Sequence, residues 1–123
     1  MKQIDIKQNA VLGDLELQEA LKGINPEWGD FVTRVAGESW GLPLIDQKTK
    51  ALISIALDIA ASNIYAPGNP YGAHINMAIG QGATLDEIKE LLLFISPYVA
   101  FAKTASAFGV LNELMDKGIV KFK

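Results

Sequence analysis

The chain has 123 residues, of which half are hydrophobic and a fifth are charged, with a net charge of −3 and no cysteine. This length fits one domain, and the absence of cysteine excludes disulfides, thiolate metal sites and cysteine nucleophiles. The weakly acidic balance argues against nucleic acid or an anionic membrane as a partner, and the single histidine argues against a histidine-rich metal site.

No targeting or membrane segment stands out in the sequence. Residues 1–7 lack the apolar core of a signal peptide, and no uncharged run reaches the roughly 18 residues of a membrane span. We therefore expect a cytoplasmic protein. The mean hydropathy of +0.20 is high for a soluble domain of this size. Burial against further copies of the chain would cover the excess apolar surface, so we expect a homo-oligomer.

Two helices are predicted in the first part of the chain. The first follows Asp14 as N-cap and ends at Gly23. The second begins at Asn25–Pro26, a cap followed by proline at N1, and runs to about residue 38. Its apolar residues have the i, i+3, i+4, i+7 spacing of a helix: Trp28, Phe31, Val32 and Val35.

A third helix is predicted over residues 47–62, with Asp46 as its cap. It is apolar nearly all round, apart from a polar stripe at i, i+4 and i+8 formed by Lys50, Ser54 and Asp58. We expect it to be the central and most buried helix. Within it we interpret Asp58 as a structurally paired carboxylate.

The fourth predicted helix carries the only histidine. Residues 63–69 form a loop that contains Pro67 and Gly68, and Asn69–Pro70 repeats the cap-and-proline start. The helix includes His74 and ends at about Gln81.

Two more helices complete the prediction. Thr84 and Glu87 form a capping box for a fifth helix through residue 95, and Ser96–Pro97 opens a sixth that ends at about residue 115. Residues 117–123 are predicted to be extended. The sequence thus indicates an all-α bundle of about six helices in a single domain, residues 1–123.

Two blocks of residues carry a family resemblance. The first is GESWGLPLIDQKTKAL, residues 37–52; the second is H-x-x-x-A-x-x-x-G-A-T-x-x-E-I, which starts at His74 and leads to Tyr98 and on to residue 108. In this order they resemble the carboxymuconolactone decarboxylase family. The resemblance implies an AhpD-like helical protomer that assembles into a homotrimer or homohexamer and needs no cofactor or metal.

The resemblance also implies an activity and a set of site residues. The activity is removal of CO2 from a carboxylated lactone, a small-molecule carboxylate substrate, in aromatic catabolism. By the resemblance, His74 and Glu38 act as acid and base, Lys50 holds the substrate carboxylate, and Trp40 and Tyr98 form pocket walls. Two alternative functions remain: an isomerase or ring-opening enzyme that acts on a related enolisable acid, and a non-catalytic oligomeric binding protein.

Each of these residues also has a structural interpretation. His74 fits a core histidine hydrogen-bonded to a backbone carbonyl, and Glu38 fits a surface ion pair with Arg34, four residues earlier. Lys50 fits a lysine whose aliphatic part packs at a helix start while its ammonium reaches solvent. Trp40 and Tyr98 fit ordinary core aromatics.

The chain departs from the family pattern at several positions. Leu42 stands where arginine is usual before the proline, Lys50–Ala51 replaces Arg-Ser, and Ala100 replaces a glycine that often follows the tyrosine. A second branch of the family carries two redox cysteines before the histidine. Those positions are Pro67 and Pro70 here, so we expect no thiol peroxidase activity.

Overall fold

The computed structural model describes residues 9–65 and 69–123, and these ranges contain six α-helices and no strand. The helices are α1 (Leu15–Ile24), α2 (Pro26–Trp40), α3 (Gln47–Ala60), α4 (Pro70–Gly80), α5 (Leu85–Val99) and α6 (Phe101–Asp116). The all-α prediction is confirmed. The predictions for residues 1–7 and for Pro67 and Gly68 lie outside the described residues. None of the described helices has the length and apolar character needed to cross a membrane.

Two compact units make up the chain, one ending at Lys50 and the other running from Ala51 to Lys123. The boundary falls within α3. The expectation of one domain over the whole chain stays a prediction.

In the first unit, α1 and α2 pack against each other and are joined by a single residue, Asn25. The side-chain oxygen of Asn25 accepts from the Trp28 N–H at 2.8 Å, so the predicted cap is confirmed. Gly23 lies inside α1 rather than ending it, because the helix continues to Ile24. Gly29 allows the two helices to approach closely, since a Cβ there would lie 2.5 Å from the Lys22 backbone nitrogen.

The apolar stripe of α2 is largely exposed. Trp28, Phe31 and Val35 keep 45%, 54% and 47% of their surface accessible, and α1 has no buried residue. The helix that carries this stripe was predicted correctly, and about half of the surface of these three side chains is exposed.

Asp46 caps α3 as predicted. Its carboxylate accepts from the Thr49 N–H at 2.7 Å, and this hydrogen bond lowers the pKa of the exposed Asp46 carboxyl. The expectation that α3 is the most buried helix is wrong. Ile53 and Leu57 on it are 45% and 63% exposed, so only one face of the helix is covered.

In the second unit α4 is the most thoroughly buried helix, with six buried residues: Tyr71, Gly72, Ile75, Met77, Ala78 and Ile79. Hydrogen bonds join it to three neighbours. Tyr71 donates to the Ala107 carbonyl of α6, His74 bonds to Asp58 of α3, and Asn76 donates to the Ile119 carbonyl beyond α6. Contacts on several sides explain why α4, and not α3, is the more buried.

The boundary between α5 and α6 differs from the prediction. Pro97 lies inside α5, and the chain breaks instead at Ala100, with φ 109° and ψ 136°. Ser96 Oγ donates to the Leu92 carbonyl at 2.7 Å and lies 2.9 Å from Thr104 Oγ1 of α6. This buried contact holds the two helices together on either side of Ala100.

Residues after α6 are not simply extended. Gly118, at φ 69°, ends the helix in a Schellman turn, in which the Ile119 N–H donates to the Leu114 carbonyl at 2.9 Å. Val120 is 1% exposed. The prediction of an extended tail therefore missed this turn, after which the Val120 side chain is buried.

Candidate active site

His74 and Asp58 form a close polar pair in the second unit. The distance from His74 Nδ1 to Asp58 Oδ2 is 2.5 Å. The Asp58 side chain is 9% exposed and the His74 side chain is 27% exposed. The carboxylate is therefore withdrawn from solvent while part of the imidazole remains accessible.

Local backbone structure positions both side chains. Asp58 lies in the last turn of α3, where its own carbonyl accepts from the Asn63 N–H at 2.7 Å and Ser62 adopts a left-handed φ of 57°. His74 lies in the second turn of α4, after the capping residue Asn69 and a proline at N1. The end of one helix and the start of the next thus bring together residues 16 positions apart.

The hydrogen bond determines which ring nitrogen of His74 is available for chemistry. A carboxylate only accepts, so Nδ1 carries the hydrogen. Nε2 has no hydrogen-bond partner within residues 9–65 and 69–123. A neutral ring in this tautomer accepts a proton at Nε2, and Asp58 stabilises the positive charge that results. The pair is therefore equipped for proton transfer.

Tyr71 is a third ionisable group near this pair, and its role is structural. Its hydroxyl is buried and donates to the Ala107 carbonyl at 2.9 Å. Burial, and then the negative charge of Asp58, raise the pKa of Tyr71 far above its ordinary value of 10.0. Tyr71 therefore stays protonated and anchors α4 to α6.

Three of the predicted site residues lie in the first unit. Glu38 is exposed on α2, and among the described residues it forms no ion pair with Arg34, whose guanidinium lies 5.3 Å from the Phe31 ring centre. The Lys50 ammonium donates to the Trp40 carbonyl at 2.9 Å and also to the Leu42 carbonyl. Lys50 therefore places a cation at the C-terminal end of α2, where the carbonyls carry partial negative charge.

The Trp40 ring is partly buried, and its carbonyl accepts from Gln47 as well, at 2.7 Å. The structure thus brings Trp40 and Lys50 together through the Trp40 backbone.

Tyr98, the remaining predicted residue, is 78% exposed on α5. Its ring lies 5.7 Å from that of Phe94, which is itself 66% exposed. Tyr98 is therefore a surface aromatic in a single chain.

Two clefts in the second unit lie apart from the His74–Asp58 pair. One, of about 280 Å³, is lined by residues of α3, α6 and the segment after α3, and the other, of about 210 Å³, shares Ile64 and Tyr65 with it. His74 and Asp58 line neither. Within the described ranges, no three histidine or acidic side chains lie close enough together to hold a metal ion.

Sequence reasoning assigned Asp58 only a structural pairing and did not identify its partner. The signal was present, because an acidic residue in an apolar helix needs a polar partner when it is buried, and the sequence contains one imidazole. The regular spacing placed Asp58 in a polar stripe with Lys50 and Ser54, and this stripe does not point to a residue of another helix.

Comparisons with known proteins give the family to which the chain is related. The chain is 29% identical over 118 residues to the 4-carboxymuconolactone decarboxylase of Acinetobacter baylyi, an alignment that covers 92% of this chain and 85% of that protein. No solved structure gives a significant match. A sequence model of the carboxymuconolactone decarboxylase family matches residues 26–113, which include His74 and Asp58. With most of its length matched, the chain belongs to the carboxymuconolactone decarboxylase family.

Proposed function

We propose that the protein is a cofactor-independent carboxy-lyase that removes CO2 from a carboxylated lactone or a related enolisable acid. The observation that carries the proposal is the hydrogen bond of 2.5 Å between His74 and the buried carboxylate of Asp58, with Nε2 left for the substrate. The similarity to a decarboxylase over most of the chain supports the reaction class.

In the proposed reaction the protein positions the substrate and donates one proton. The bond between the substrate carbon and its carboxylate breaks, CO2 leaves, and the electron pair moves into the conjugated carbonyl of the substrate. The enolate that forms takes a proton from Nε2 of His74, while Asp58 stabilises the doubly protonated ring before the transfer. Solvent returns the proton to His74, so atoms and charges balance over a cycle.

The other predicted residues keep proposed roles in substrate binding and proton transfer. Lys50 is proposed to hold the substrate carboxylate, although its ammonium already donates to two carbonyls. Glu38 is proposed as a second acid or base, and Trp40 and Tyr98 as pocket walls.

We also propose that the protein works as a homotrimer or homohexamer. The exposed aromatic and aliphatic side chains of α2 and α5 support this, because large apolar surfaces of a single chain commonly mark contacts between subunits.

The test is to measure CO2 release from 4-carboxymuconolactone by the purified protein and its variants. Positioned proton transfer contributes about 10²- to 10⁴-fold to a rate. We expect His74→Ala to lose activity in this range, and His74→Gln to be nearly as impaired because an amide cannot shuttle a proton. Asp58→Asn should lose about 10- to 100-fold, because the amide no longer stabilises the charged ring.

Several controls make this outcome specific. Asp116→Asn removes a carboxylate of the same type at the end of α6 and should leave the rate unchanged. Circular dichroism and light scattering establish that fold and assembly are retained. Glu38→Gln and Lys50→Met test their roles in the same assay. Full activity in His74→Gln would contradict the proposal, and an isomerised product without CO2 release would favour the isomerase alternative.

A further inference from the structure

The larger of the two clefts in the second unit has the chemistry of a small binding site. It is an open cleft with a volume of about 280 Å³, and it is lined by seven residues: Ile59, Ser62, Ile64, Tyr65, Ala102, Lys103 and Ser106. Sites for drug-sized ligands start at about 300 Å³, so this volume suits a ligand somewhat smaller.

The walls of the cleft are mainly apolar. Ile59 and Ile64 are 1% and 6% exposed, which makes them a fixed floor, while Tyr65 is 72% exposed at the rim. An apolar ring or short hydrocarbon chain would cover this surface, and contact with the Tyr65 ring would add to the gain.

The charge of the cleft favours an anion, and its hydroxyl groups can donate to one. Lys103 is the one charged residue in the lining, and no acidic side chain is present there. Its ammonium donates to the Ala60 carbonyl at 2.6 Å, which holds it in place at the end of α3. Two ammonium hydrogens remain, and no acceptor for them occurs among the described residues. Ser106 lies three residues after Lys103, on the same face of α6.

We infer that this cleft is a binding site for a small apolar monocarboxylate, whose carboxylate contacts Lys103 and the Ser106 hydroxyl and whose apolar body lies against Ile59, Ile64 and Tyr65. The site contains neither His74 nor Asp58. The inference therefore goes beyond the proposed decarboxylation and does not depend on it.

The experiment uses benzoate as the probe and ¹⁵N-labelled full-length protein. In a titration followed by NMR, we expect amide shifts to concentrate on residues 102–106 and 62–65, with Kd of about 1 mM for a ligand of this size. Benzamide has the same shape without the charge and should bind at least about tenfold more weakly. Shifts centred on His74, or equal affinity for benzamide, would overturn the inference.

Variants separate charge from structure. Lys103→Gln keeps a donor for the Ala60 carbonyl and removes the charge, so Kd for benzoate should rise at least about tenfold. Lys89→Gln, an exposed lysine on α5 outside the cleft, should leave Kd unchanged. Should Lys103→Gln prove unstable, Ala102→Leu fills the cleft without touching a polar group and should abolish binding. Wild-type affinity in a folded Lys103→Gln or Ala102→Leu protein would rule out this site.

Discussion

Ala100 adopts a backbone conformation that residues with a side chain rarely tolerate. Its φ of 109° and ψ of 136° lie in a region populated almost solely by glycine, and strain of this kind costs about 1–3 kcal/mol. The buried contact between Ser96 and Thr104 holds the helices on either side of it. Packing of α5 against α6 therefore stabilises a link that is unfavourable by itself.

We expect Ala100→Gly to stabilise the protein. Relief of the strain outweighs the extra freedom of glycine in the unfolded chain, so the free energy of unfolding should rise by about 1 kcal/mol. This corresponds to an increase in Tm of about 4 °C. Thermal denaturation followed by circular dichroism measures it.

The matched control is Ala105→Gly, an exposed position inside α6 with ordinary helical geometry. Here glycine should lower the free energy of unfolding by about 1 kcal/mol. If Ala100→Gly lowers stability as well, the conformation of Ala100 is not strained.

At the scale of elements, the pairing of α1 with α2 depends on a close backbone approach. Gly29 is buried, and an added Cβ would lie 2.5 Å from Lys22 N and 2.7 Å from the Leu21 carbonyl carbon. Backbone atoms cannot relieve a clash by a change of rotamer, as a side chain can. A methyl group at position 29 must therefore push the two helices apart.

We expect Gly29→Ala to destabilise the protein by about 1–3 kcal/mol, although alanine has the higher helix propensity. Urea denaturation measures the change. Gly109→Ala in α6 is the control, because a Cβ there meets nothing within 4 Å and should stabilise the helix by up to about 1 kcal/mol. Equal effects of the two substitutions would show that propensity, and not the close approach, decides the result.

At the scale of the whole molecule, large apolar side chains are exposed in both units. Leu93, Phe94, Tyr98 and Phe101 are each at least 66% exposed, and the stripe of α2 is about half exposed. Patches of this kind are uncommon on monomeric proteins and are typical of subunit contacts.

We expect light scattering coupled to size exclusion to give three or six times the chain mass of 13.3 kDa. Phe31→Glu and Phe94→Glu, which place charges on the exposed surfaces of α2 and α5, should dissociate the oligomer or weaken it at least about tenfold. Asn112→Glu adds the same charge at an exposed position of α6 and should leave the assembly intact. A monodisperse chain of single mass at micromolar concentration would contradict this prediction.

Much of the helix pattern could be predicted from the sequence because the signals that start helices are local. The Asn25 side chain accepts from the Trp28 N–H, and Thr84 and Glu87 form two hydrogen bonds with each other; each pair is three residues apart in the sequence. Such contacts join residues that are close in the sequence, so the pattern is visible without knowledge of the rest of the chain. His74 could be singled out for a similar reason, since it is the only imidazole and lies in a recognisable family motif.

The partner of His74, the most buried helix and the break at Ala100 were decided by tertiary structure. The carboxylate of Asp58 meets the imidazole only because the end of α3 lies against α4, and α4 is buried only because α3, α6 and the chain after α6 all contact it. Ser96–Pro97 has the local pattern of a helix start, yet α5 continues through both residues and the break falls at Ala100, next to the contact between Ser96 and Thr104. A local sequence pattern indicates the conformation that a segment favours by itself. Burial and hydrogen-bond partners depend instead on segments that are distant in the sequence, and the energy of packing against them exceeds the local preference.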